Sequence, residues 1–561
     1  MVSSSLDSRA GRPIFRRRRD SAIGLTPLAL AACGGASGGG VDTIGLVEDE
    51  GLPTDFPSGY LPPQSSYDAP SEGDSYFEVL KSPYVEPYWV AALQMDGGDA
   101  TLAPILEQSG NIIFYSFPDA EPSYDLMDIN GWAPANSAMR EATRDIMGRL
   151  DDVLGVSFME VDEPNAMNVV AMAMSTQNGT SGFSYFPNPD FEIGWDVFIS
   201  KAFANPKQVT ARLTNYDYEV LVHEIGHALG LKHPFEGQGE NTETLPSFDD
   251  QTRFTAMSYD DSLTTFDGTM RALDWMALTK FYGVNPLYND GDDTYKFSNT
   301  AGTFIVDGGG VDTIDVNRSS LDAVIDLRPG SHSHLGPQAA NITLARQLTI
   351  SHGTEIENVI TGAGDDTVIG TDTSNVITTG GGDDIIYAGG GSDLVRSGPG
   401  ADRVDLSEET QSADVVVLDV PTSDAELDII YGFVQGALGD ALDLSQWGVI
   451  SAKLFPLVVS GTAPSANFGG GILRVVGDAL STSEGLSSAL AEGGELSPLT
   501  ISSGSRSIII TSASQGTGED QCVYSAEGLA GGGIEVSQLA LLQGNALDID
   551  QWHADNFSVI V

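Results

Sequence analysis

The spacing of apolar residues separates helical from extended segments in the first half of the chain. Residues 136–155 (NSAMREATRDIMGRLDDVLG) carry an apolar side chain at every third or fourth position, which predicts an amphipathic helix. The same period predicts helices over 214–230 (TNYDYEVLVHEIGHALG) and 270–283 (MRALDWMALTKFYG). Runs with strand composition or alternation lie at 111–117, 156–161, 168–174 and 182–187. An α+β domain is therefore predicted between residues 85 and 290.

A different pattern begins after Asn285, where the helical period disappears and Gly, Asp, Thr, Ile and Val dominate. Residues 361–405 are five consecutive nonapeptides in one register: TGAGDDTVI, GTDTSNVIT, TGGGDDIIY, AGGGSDLVR and SGPGADRVD. Their eighth position is always apolar, and this is the GGxGxDxUx repeat of calcium-binding parallel β-rolls. Glycines permit the tight turns, aspartates and carbonyls bind the cation, and the apolar residue fills the interior. A flexible Gly/Asp linker would lack such a fixed apolar register.

The turns of these repeats hold the candidate calcium ligands, and the unit DGGGVDTID at 307–315 has the same form. The candidate residues are Asp312, Gly362, Gly364, Asp366, Gly380, Gly382, Asp384, Gly389, Gly391, Asp393, Gly398, Gly400 and Asp402. Successive repeats alternate between the two edges of a roll. Asp366, Asp384 and Asp402 therefore share a first edge, and Asn375 and Asp393 share a second. Because the second repeat lacks its turn glycines, well-formed sites are expected on the first edge and a weak or absent one on the second.

The segment LVHEIGHALGLKHP contains three of the seven histidines of the chain. On a helix His223 and His227 lie one turn apart on the same face, so both rings can reach one ion. Gly230 can adopt a positive φ, which lets the helix end and the chain bring His233 to that ion. Glu224 points elsewhere and can take a proton from a water molecule at the open fourth position. Three neutral ligands and one open position are typical of a catalytic zinc site.

Helical histidine pairs are common on protein surfaces, and HExxH alone recurs by chance, whereas HExxHxxGxxH fixes five positions. Downstream, QTRFTAMSYDD places Met257 two residues before Tyr259. With HEIGHALGLKHP, MSY, the GFSYFP strand and the DWMALTKFYGVN helix, the chain resembles the metzincin metallopeptidases. Within them it resembles the serralysin family of secreted bacterial proteases. One departure is Asp260-Asp261, where the family usually has an aromatic residue after the MSY turn.

The resemblance implies roles for these residues. Met257 would form an apolar floor under the zinc, and Tyr259 would ligate zinc and swing to stabilise the tetrahedral intermediate. Glu224 would be the general base for a zinc-activated water that attacks a peptide carbonyl, and would return the proton to the leaving amine. The edge strand, with Gly182, Ser184 and Phe186, would pair with an extended protein or peptide substrate.

Charge and composition limit the classes of partner that the protein is expected to bind. The chain has 26 Lys+Arg against 79 Asp+Glu, a net charge of -53 that disfavours binding to nucleic acids and anionic membranes. Calcium is a natural counter-ion for this excess, although a soluble surface adapted to salt is an alternative explanation. Two cysteines exclude a disulfide framework. No apolar run is long enough for a transmembrane segment, and we expect a monomer.

Both ends of the chain carry features of targeting segments. RRRRD, a short apolar run and Leu30-Ala31-Ala32-Cys33 resemble a lipoprotein-type signal within residues 1–40, which would put a lipid on Cys33. A disordered Ala/Gly-rich leader is the alternative, and residues 41–84 have the composition of a linker or prosegment. The tail DNFSVIV resembles the C-terminal signal by which serralysins leave bacteria through an export channel. C-terminal export is favoured, and either route places the protein outside the cell or on its surface.

The sequence thus predicts a multidomain protein with an α+β metzincin catalytic domain over 85–290. A calcium-binding parallel β-roll over 291–445 and a β-rich C-terminal region over 446–561 follow it. The predicted function is that of a secreted zinc metalloendopeptidase. The alternative is a calcium-dependent surface or adhesion protein with a peptidase-like domain. A zymogen latched by Cys33 on the zinc is a third hypothesis, but ACGGASGG lacks the charged framing of such a latch.

Overall fold

The computed structural model describes most of residues 86–444 and shorter segments beyond them. Described are residues 86–123, 129–162, 169–177, 181–190, 193–201, 215–260, 268–419, 427–435, 439–444, 458–459, 466–467, 472–476, 486, 490, 499–500, 506–512, 520–529, 534–543 and 556–558. The predicted leader, the predicted linker and Cys33 lie outside the described residues.

The first unit packs helices against a mainly parallel sheet. Its helices are α1 (Tyr88–Ala91), α2 (Gly98–Ser109), α3 (Ser137–Val153), α4 (Asn215–Ala228) and α5 (Ala272–Tyr282). Its strands are β1 (Ile112–Ser116), β2 (Ala133–Pro134), β3 (Ser157–Glu160), β4 (Val169–Ser175), β5 (Gly182–Ser184) and β6 (Val197–Ser200). The sheet order is β3-β1-β4-β6-β5, with β2 paired to β4. Strand β5 is antiparallel to β6 and forms one edge of the sheet.

Apolar periodicity correctly located three of the four longer helices of this unit, α3, α4 and α5. The apolar positions of α3 are buried, and the Asn136 side chain caps its first turn by accepting a hydrogen bond from the Met139 N–H. On α4, Val222 and Ile225 are buried and contribute to the core, and Leu229 follows them at the end of the helix. These helices and the sheet enclose one large apolar cluster, against which the residues of the candidate site are placed.

The second unit is a roll of two sheets built from short parallel strands. Its strands are β7 (Thr294–Tyr295), β8 (Thr303–Ile305), β9 (Thr313–Asp315), β10 (Ala323–Asp326), β11 (His332–Leu335), β12 (Gln347–Ile350), β13 (Asn358–Ile360), β14 (Thr367–Thr371), β15 (Val376–Thr378), β16 (Ile385–Gly389), β17 (Leu394–Arg396), β18 (Arg403–Asp405), β19 (Val415–Val417), β20 (Asp428–Tyr431) and β21 (Ala441–Asp443). Each nonapeptide contributes one strand, and successive strands alternate between the two sheets.

Strand pairing in the roll joins residues that are two repeats apart. Thr367 pairs with Ile385, and Ile385 pairs with Arg403 in one sheet, while Val376 pairs with Leu394 in the other. The apolar eighth positions all point inward and are fully buried: Val368, Ile377, Ile386, Val395 and Val404. The roll core is therefore a narrow column of β-branched side chains between two layers of backbone.

The C-terminal segments extend this roll. Their strands are β22 (Val458–Val459), β23 (Ala466–Asn467), β24 (Ile472–Val476), β25 (Leu499–Thr500), β26 (Arg506–Ser512), β27 (Gln521–Gly528), β28 (Ile534–Gln543) and β29 (Phe557–Ser558). Strand β28 pairs with β20, and β26, β27 and β28 form an antiparallel meander, so one sheet crosses the predicted boundary at residue 445. Strand β29, from the tail DNFSVIV, pairs with β21 in the other sheet.

The first unit and the roll share a polar contact. Asp249 is fully buried and accepts hydrogen bonds from Tyr88, Asn341 and Thr343, which joins α1 to the roll. The Trp89 and His332 rings pack at a centroid distance of 5.6 Å beside it. The protein is thus multidomain, with a mixed α/β part and many parallel strands. Among the described residues, no helix has both the length and the apolar character needed to cross a membrane.

Candidate active site and cation-binding turns

Three histidine rings converge at the end of α4. His223 and His227 project from one face of the helix, and the chain then turns at Gly230, whose φ is +93°. This turn brings His233 to the other two rings. The Nε2 atom of His233 lies 3.2 Å from Nε2 of His223 and 3.1 Å from Nε2 of His227.

The opposite nitrogen of each ring has its own acceptor, and this fixes the tautomers. The Nδ1 atoms of His223 and His227 contact the carbonyl oxygens of Ala256 at 2.8 Å and Leu231 at 2.6 Å. The Nδ1 atom of His233 lies 2.6 Å from a carboxylate oxygen of Glu236. When each Nδ1 carries its proton, the Nε2 lone pair of His233 faces those of the other two rings, an arrangement that a bound cation would satisfy.

The geometry fits zinc. A tetrahedral zinc ion with nitrogens at about 2.0–2.1 Å holds them about 3.3 Å apart, close to the separations between these Nε2 atoms. Burial lowers the pKa of His223 to about 4 and holds the pKa of His227 well below its usual value, so both rings are neutral at neutral pH, the form in which histidine can bind a metal ion.

Glu224 is buried beside the histidines under strand β5. Burial raises the pKa of Glu224 to about 8, and the opposing effect comes from the Ser184 hydroxyl, which donates to its carboxylate at 3.1 Å. A nearby cation would lower this pKa towards the range in which a carboxylate can act as a base at neutral pH. A Cβ atom on Gly182 would lie 2.8 Å from the Glu224 side chain, so the close approach of β5 requires glycine at that position.

Met257 packs against α4, the helix that carries two of the histidines, and is fully buried. A Cβ atom on Gly226 of α4 would approach its sulfur to 2.6 Å, so the methionine turn packs directly against the helix. The turn is held by Asp274 of α5, whose carboxylate accepts from Thr255 Oγ1 at 2.6 Å and from the Ala256 N–H at 2.8 Å. Because the Ala256 carbonyl orients His223, Asp274 acts on a candidate ligand through the turn.

Tyr259 lies at the mouth of the site. Its hydroxyl is 2.9 Å from Nε2 of His233, and its side chain is 65% exposed, which leaves the ring accessible to a substrate. Burial of the hydroxyl and then the Glu224 charge raise its pKa, so the phenol stays protonated as a hydrogen-bond donor. Phe235 stacks on His233 with ring centroids 5.0 Å apart and also contacts Tyr259, which gives this side of the mouth an aromatic wall.

On the other side, the chain beyond β5 borders an open cleft of about 690 Å³. Phe186 follows the strand, lines this cleft and packs its ring 5.5 Å from that of His227. Strand β5 is an edge strand in the described sheet and lies directly over Glu224. The predicted substrate residues Gly182, Ser184 and Phe186 thus border the histidine site, although their role in substrate binding stays a prediction.

A second set of candidate ligands forms ladders of aspartates along the roll. The Asp384 carboxylate accepts from the Asp366 N–H at 2.8 Å, and Asp402 accepts from the Asp384 N–H at 2.9 Å. In the described part of the chain the second oxygens of these three carboxylates are buried without a hydrogen-bond partner. A buried oxygen that carries charge and has no donor is the feature expected at a cation site.

The second edge has the same ladder. Asp393 accepts from the Asn375 N–H at 2.7 Å, and Asp414 accepts from the Asp393 N–H at 2.9 Å. Within the described residues, the second oxygens of Asp393 and Asp414 also lack partners. The expected weakness of this edge therefore depends on the turn at Asn375 alone and stays a prediction there.

Comparison with known proteins agrees with these features. Residues 279–455 match the family described as Peptidase M10 serralysin C terminal. The chain is 29% identical to serralysin of Proteus mirabilis over 305 residues, 47% of this chain and 60% of that protein. It is 30% identical to metallopeptidase AprA of Pseudomonas marginalis over 280 residues, 44% of this chain and 57% of that protein. The chain thus resembles the serralysins in sequence over about half of its length.

Serralysin B of Dickeya chrysanthemi is 32% identical over 253 residues, 39% of this chain and 50% of that protein. The chain thus spans about half the length of the serralysins that it matches. The family match covers the end of α5 and the roll, whereas the histidines and Glu224 lie before it.

Two features of the acidic residues were missed from sequence. The ladders continue through Asp414, Asp428 and Asp440, because the Asp402 N–H donates to Asp428 and the Asp414 N–H to Asp440. Successive ladder members are there 21 or 26 residues apart instead of 18, which hides the period. An aspartate directly before a short apolar strand was the signal that could have revealed them.

A further acidic cluster lies where the first unit joins the roll. Asp293, Asp307 and Asp312 approach one another closely enough to hold one ion, and in the described structure one Asp312 oxygen is buried without a partner. Burial and neighbouring carboxylates raise the pKa of Asp312 to about 7. The predicted ligand Asp312 therefore shares its site with Asp293 and Asp307, neither of which was predicted as a ligand.

Proposed function

We propose that this protein is a secreted zinc metalloendopeptidase, in which His223, His227 and His233 hold one zinc ion and Glu224 is the general base. The single observation that carries the proposal is the convergence of three Nε2 lone pairs beside a buried carboxylate at a sheet edge. Zinc bound there would polarise a peptide carbonyl and acidify a water molecule.

Strand β5 would bind the substrate as an additional strand. It is an edge strand of the described sheet, so its outer N–H and C=O groups can pair with an extended peptide. The peptide would then pass over Glu224, because β5 lies against that residue. Phe186 and the cleft beside it would receive side chains on one side of the cleaved bond.

Glu224 would take the proton from the attacking water and pass it to the leaving amine. Its burial keeps the carboxylate away from bulk water, and the Ser184 hydroxyl bond holds one oxygen in place. Tyr259 is placed to donate its hydroxyl to the oxygen that becomes negative during attack. The hydroxyl bond to His233 would have to break for this, which the exposed position of the ring permits.

The roll would bind calcium and fold with it. Its buried carboxylates repel one another unless cations or protons compensate their charge. Folding would then occur where free calcium is high, as it is outside cells, and this supports the proposal of secretion. Protein and peptide substrates and an export channel that reads the C-terminal tail belong to the same proposal.

Hydrolysis of casein by the purified full-length chain, with calcium and zinc present, tests the proposal. Glu224→Gln should lower the rate by at least about 1,000-fold, because it removes the base and keeps the shape. Glu160→Gln is the matched control, since Glu160 pairs with Arg144 on the surface far along the chain from the site. Zinc content, measured by atomic absorption, should be the same in all three proteins.

Cleavage by Glu224→Gln at the wild-type rate would exclude Glu224 as the base. If none of the proteins cleaves although all bind zinc and calcium, the calcium-dependent adhesion protein becomes the better hypothesis. The roll and its C-terminal meander would then be the functional part.

A further inference from the structure

Lys232 lies between the turn at Gly230 and the candidate ligand His233, and it is almost completely buried. Only 2% of the residue is exposed, which is rare for lysine because a buried ammonium group must find partners for all its donors. It is among the largest fully buried side chains of the described protein.

The ammonium group is enclosed by backbone carbonyl oxygens. It donates to Ala92 O at 2.7 Å, Glu236 O at 2.9 Å and Glu243 O at 2.7 Å, and His233 O lies 3.4 Å away. Three short bonds satisfy the three N–H donors of an ammonium group. The acceptors come from the end of α1 and from two points of the loop that follows His233. Lys232 is thus a cross-link between these segments.

The loop is attached to the same N-terminal segment by other bonds. The Asn241 amide donates to Ala91 O and Gln94 O, both at 2.8 Å. The Met95 N–H donates to Gly230 O, and the Lys232 N–H donates to Leu93 O. The turn that presents His233 therefore has a fixed position relative to residues 91–95.

Glu236 connects this cross-link to the metal site. Its carbonyl accepts from Lys232, and its carboxylate contacts Nδ1 of His233 at 2.6 Å. The Glu236 side chain is 58% exposed, so few neighbouring side chains pack against it. The position of its carboxylate therefore depends mainly on the position of its backbone. The His233 ring in turn is oriented by that carboxylate.

We propose that Lys232 is a positioning residue for zinc binding, which holds the Glu236 backbone so that the Glu236 carboxylate orients His233. The ammonium group thus supplies the positive charge around which these carbonyl oxygens are arranged. This inference rests on the zinc-binding part of the proposed function. It does not depend on peptide hydrolysis.

Zinc affinity measured by chelator competition on the full-length protein tests the inference, below the unfolding temperature and with circular dichroism as a check on folding. Lys232→Met keeps the length of the side chain and removes the donors, and should weaken zinc binding about 10- to 100-fold. Lys296→Met is the control, since Lys296 is an exposed lysine that pairs with Asp315 on the roll, and should bind zinc as the wild type does.

A double-mutant cycle separates positioning from a general loss of stability. Glu236→Ala should also weaken zinc binding, and the double variant Lys232→Met/Glu236→Ala should lose less than the product of the two single losses. A purely structural lysine would give losses that multiply. The visible spectrum of the cobalt-substituted protein should change in Lys232→Met and stay unchanged in Lys296→Met.

Folded Lys232→Met with wild-type zinc affinity, or losses that multiply, would overturn the inference. If methionine prevents folding, Lys232→Gln replaces it in the same cycle, because its amide can still donate to two of the carbonyls. A wild-type protein that binds no zinc would overturn the proposed function itself, which is a distinguishable result.

Discussion

The histidine site and the aspartate ladders satisfy their polar groups in opposite ways. Around the histidines each ring nitrogen that faces away from the centre has its own acceptor, and Glu224 has the Ser184 hydroxyl. Five ladder aspartates, those from Asp366 to Asp414, each use one oxygen for a backbone N–H, and within the described residues their other oxygen has no partner. The first site is built before an ion arrives, whereas the second is incomplete without one.

The supporting cores differ as well. The histidine site rests on a broad cluster that includes Met257, Ile225 and several buried residues of α5. In the nonapeptide repeats the core of the roll consists mainly of the apolar eighth residue of each repeat, in a narrow column. Burial of apolar surface can therefore stabilise the first unit by itself. The roll also needs cations or protons that neutralise its buried carboxylates. Metal binding and folding should be separable in the first unit and coupled in the second.

Removal of calcium is expected to have the largest effect. In chelator at neutral pH the roll should unfold, because its buried carboxylates lose their counter-ions, while α4 and α5 stay folded. Limited proteolysis with fragment mass analysis measures this, and cuts should appear first within residues 361–405. Excess calcium added before the protease is the control and should suppress these cuts.

Early cleavage within α4, or a roll that resists protease without calcium, would contradict the proposed difference, in which only the roll needs its ions to fold. The polar contact of Asp249 with Asn341 and Thr343 limits how independent the two units can be. Unfolding of the roll should therefore lower the unfolding temperature of the first unit by a few degrees, without unfolding that unit.

The pH dependence of the calcium-free roll follows from its carboxyl groups. Burial is the main cause that raises the pKa of Asp384, Asp393 and Asp428 to about 8, against about 4 in an unfolded chain. The folded roll then holds protons that the unfolded chain releases. Its stability is fully present below about pH 4 and decreases as the pH rises through 8.

Thermal unfolding of metal-free protein, followed by circular dichroism between pH 5 and pH 8, measures this effect. The roll transition should fall by more than about 5 °C over that range. With millimolar calcium the fall should disappear, because the ion stabilises the ionised carboxylates. A metal-free roll that becomes more stable towards pH 8 would show that its aspartates are not buried as acids.

The periodic features of the molecule were predictable from sequence, and the contacts between distant segments were not. The helical period and Gly230 place three histidines together, and the nonapeptide register gives the strands and both ladders. Helix α2 was not predicted, because it contains Pro104 and begins at a glycine. Such residues weaken local helix signals, and packing in the core outweighs them here.

The residues that support the histidines were also missed, since their roles depend on tertiary approach. Asp274 reaches the methionine turn from α5, and Lys232 reaches the carbonyl of Ala92, directly after α1 and 140 residues away in sequence. Neither has a local pattern that distinguishes it from an ordinary charged residue. The wider spacing of the last ladder aspartates hid them for a related reason, because longer loops enter between the strands.

Asn375 allows the smallest and sharpest test, because it is the one ladder position between Asp366 and Asp402 without a carboxylate. Its Oδ1 accepts from the Thr371 N–H at 2.8 Å, and its Nδ2 donates to Glu357 O at 3.1 Å. The amide thus has a donor where the neighbouring aspartates have an oxygen without a partner. This turn is therefore satisfied without an ion.

Asn375→Asp should therefore change this turn from one that is satisfied without an ion to one that needs an ion. In chelator the substitution loses the bond to Glu357 O and buries another charge, so the unfolding temperature of the roll should fall by about 2–4 °C. In calcium the new carboxylate can bind an ion with nearby carbonyls, and the difference from wild type should vanish or reverse. Calorimetry with and without calcium measures both. Equal destabilisation under both conditions would mean that the second edge binds no calcium at this turn even with a carboxylate, and that its lost glycines are the reason.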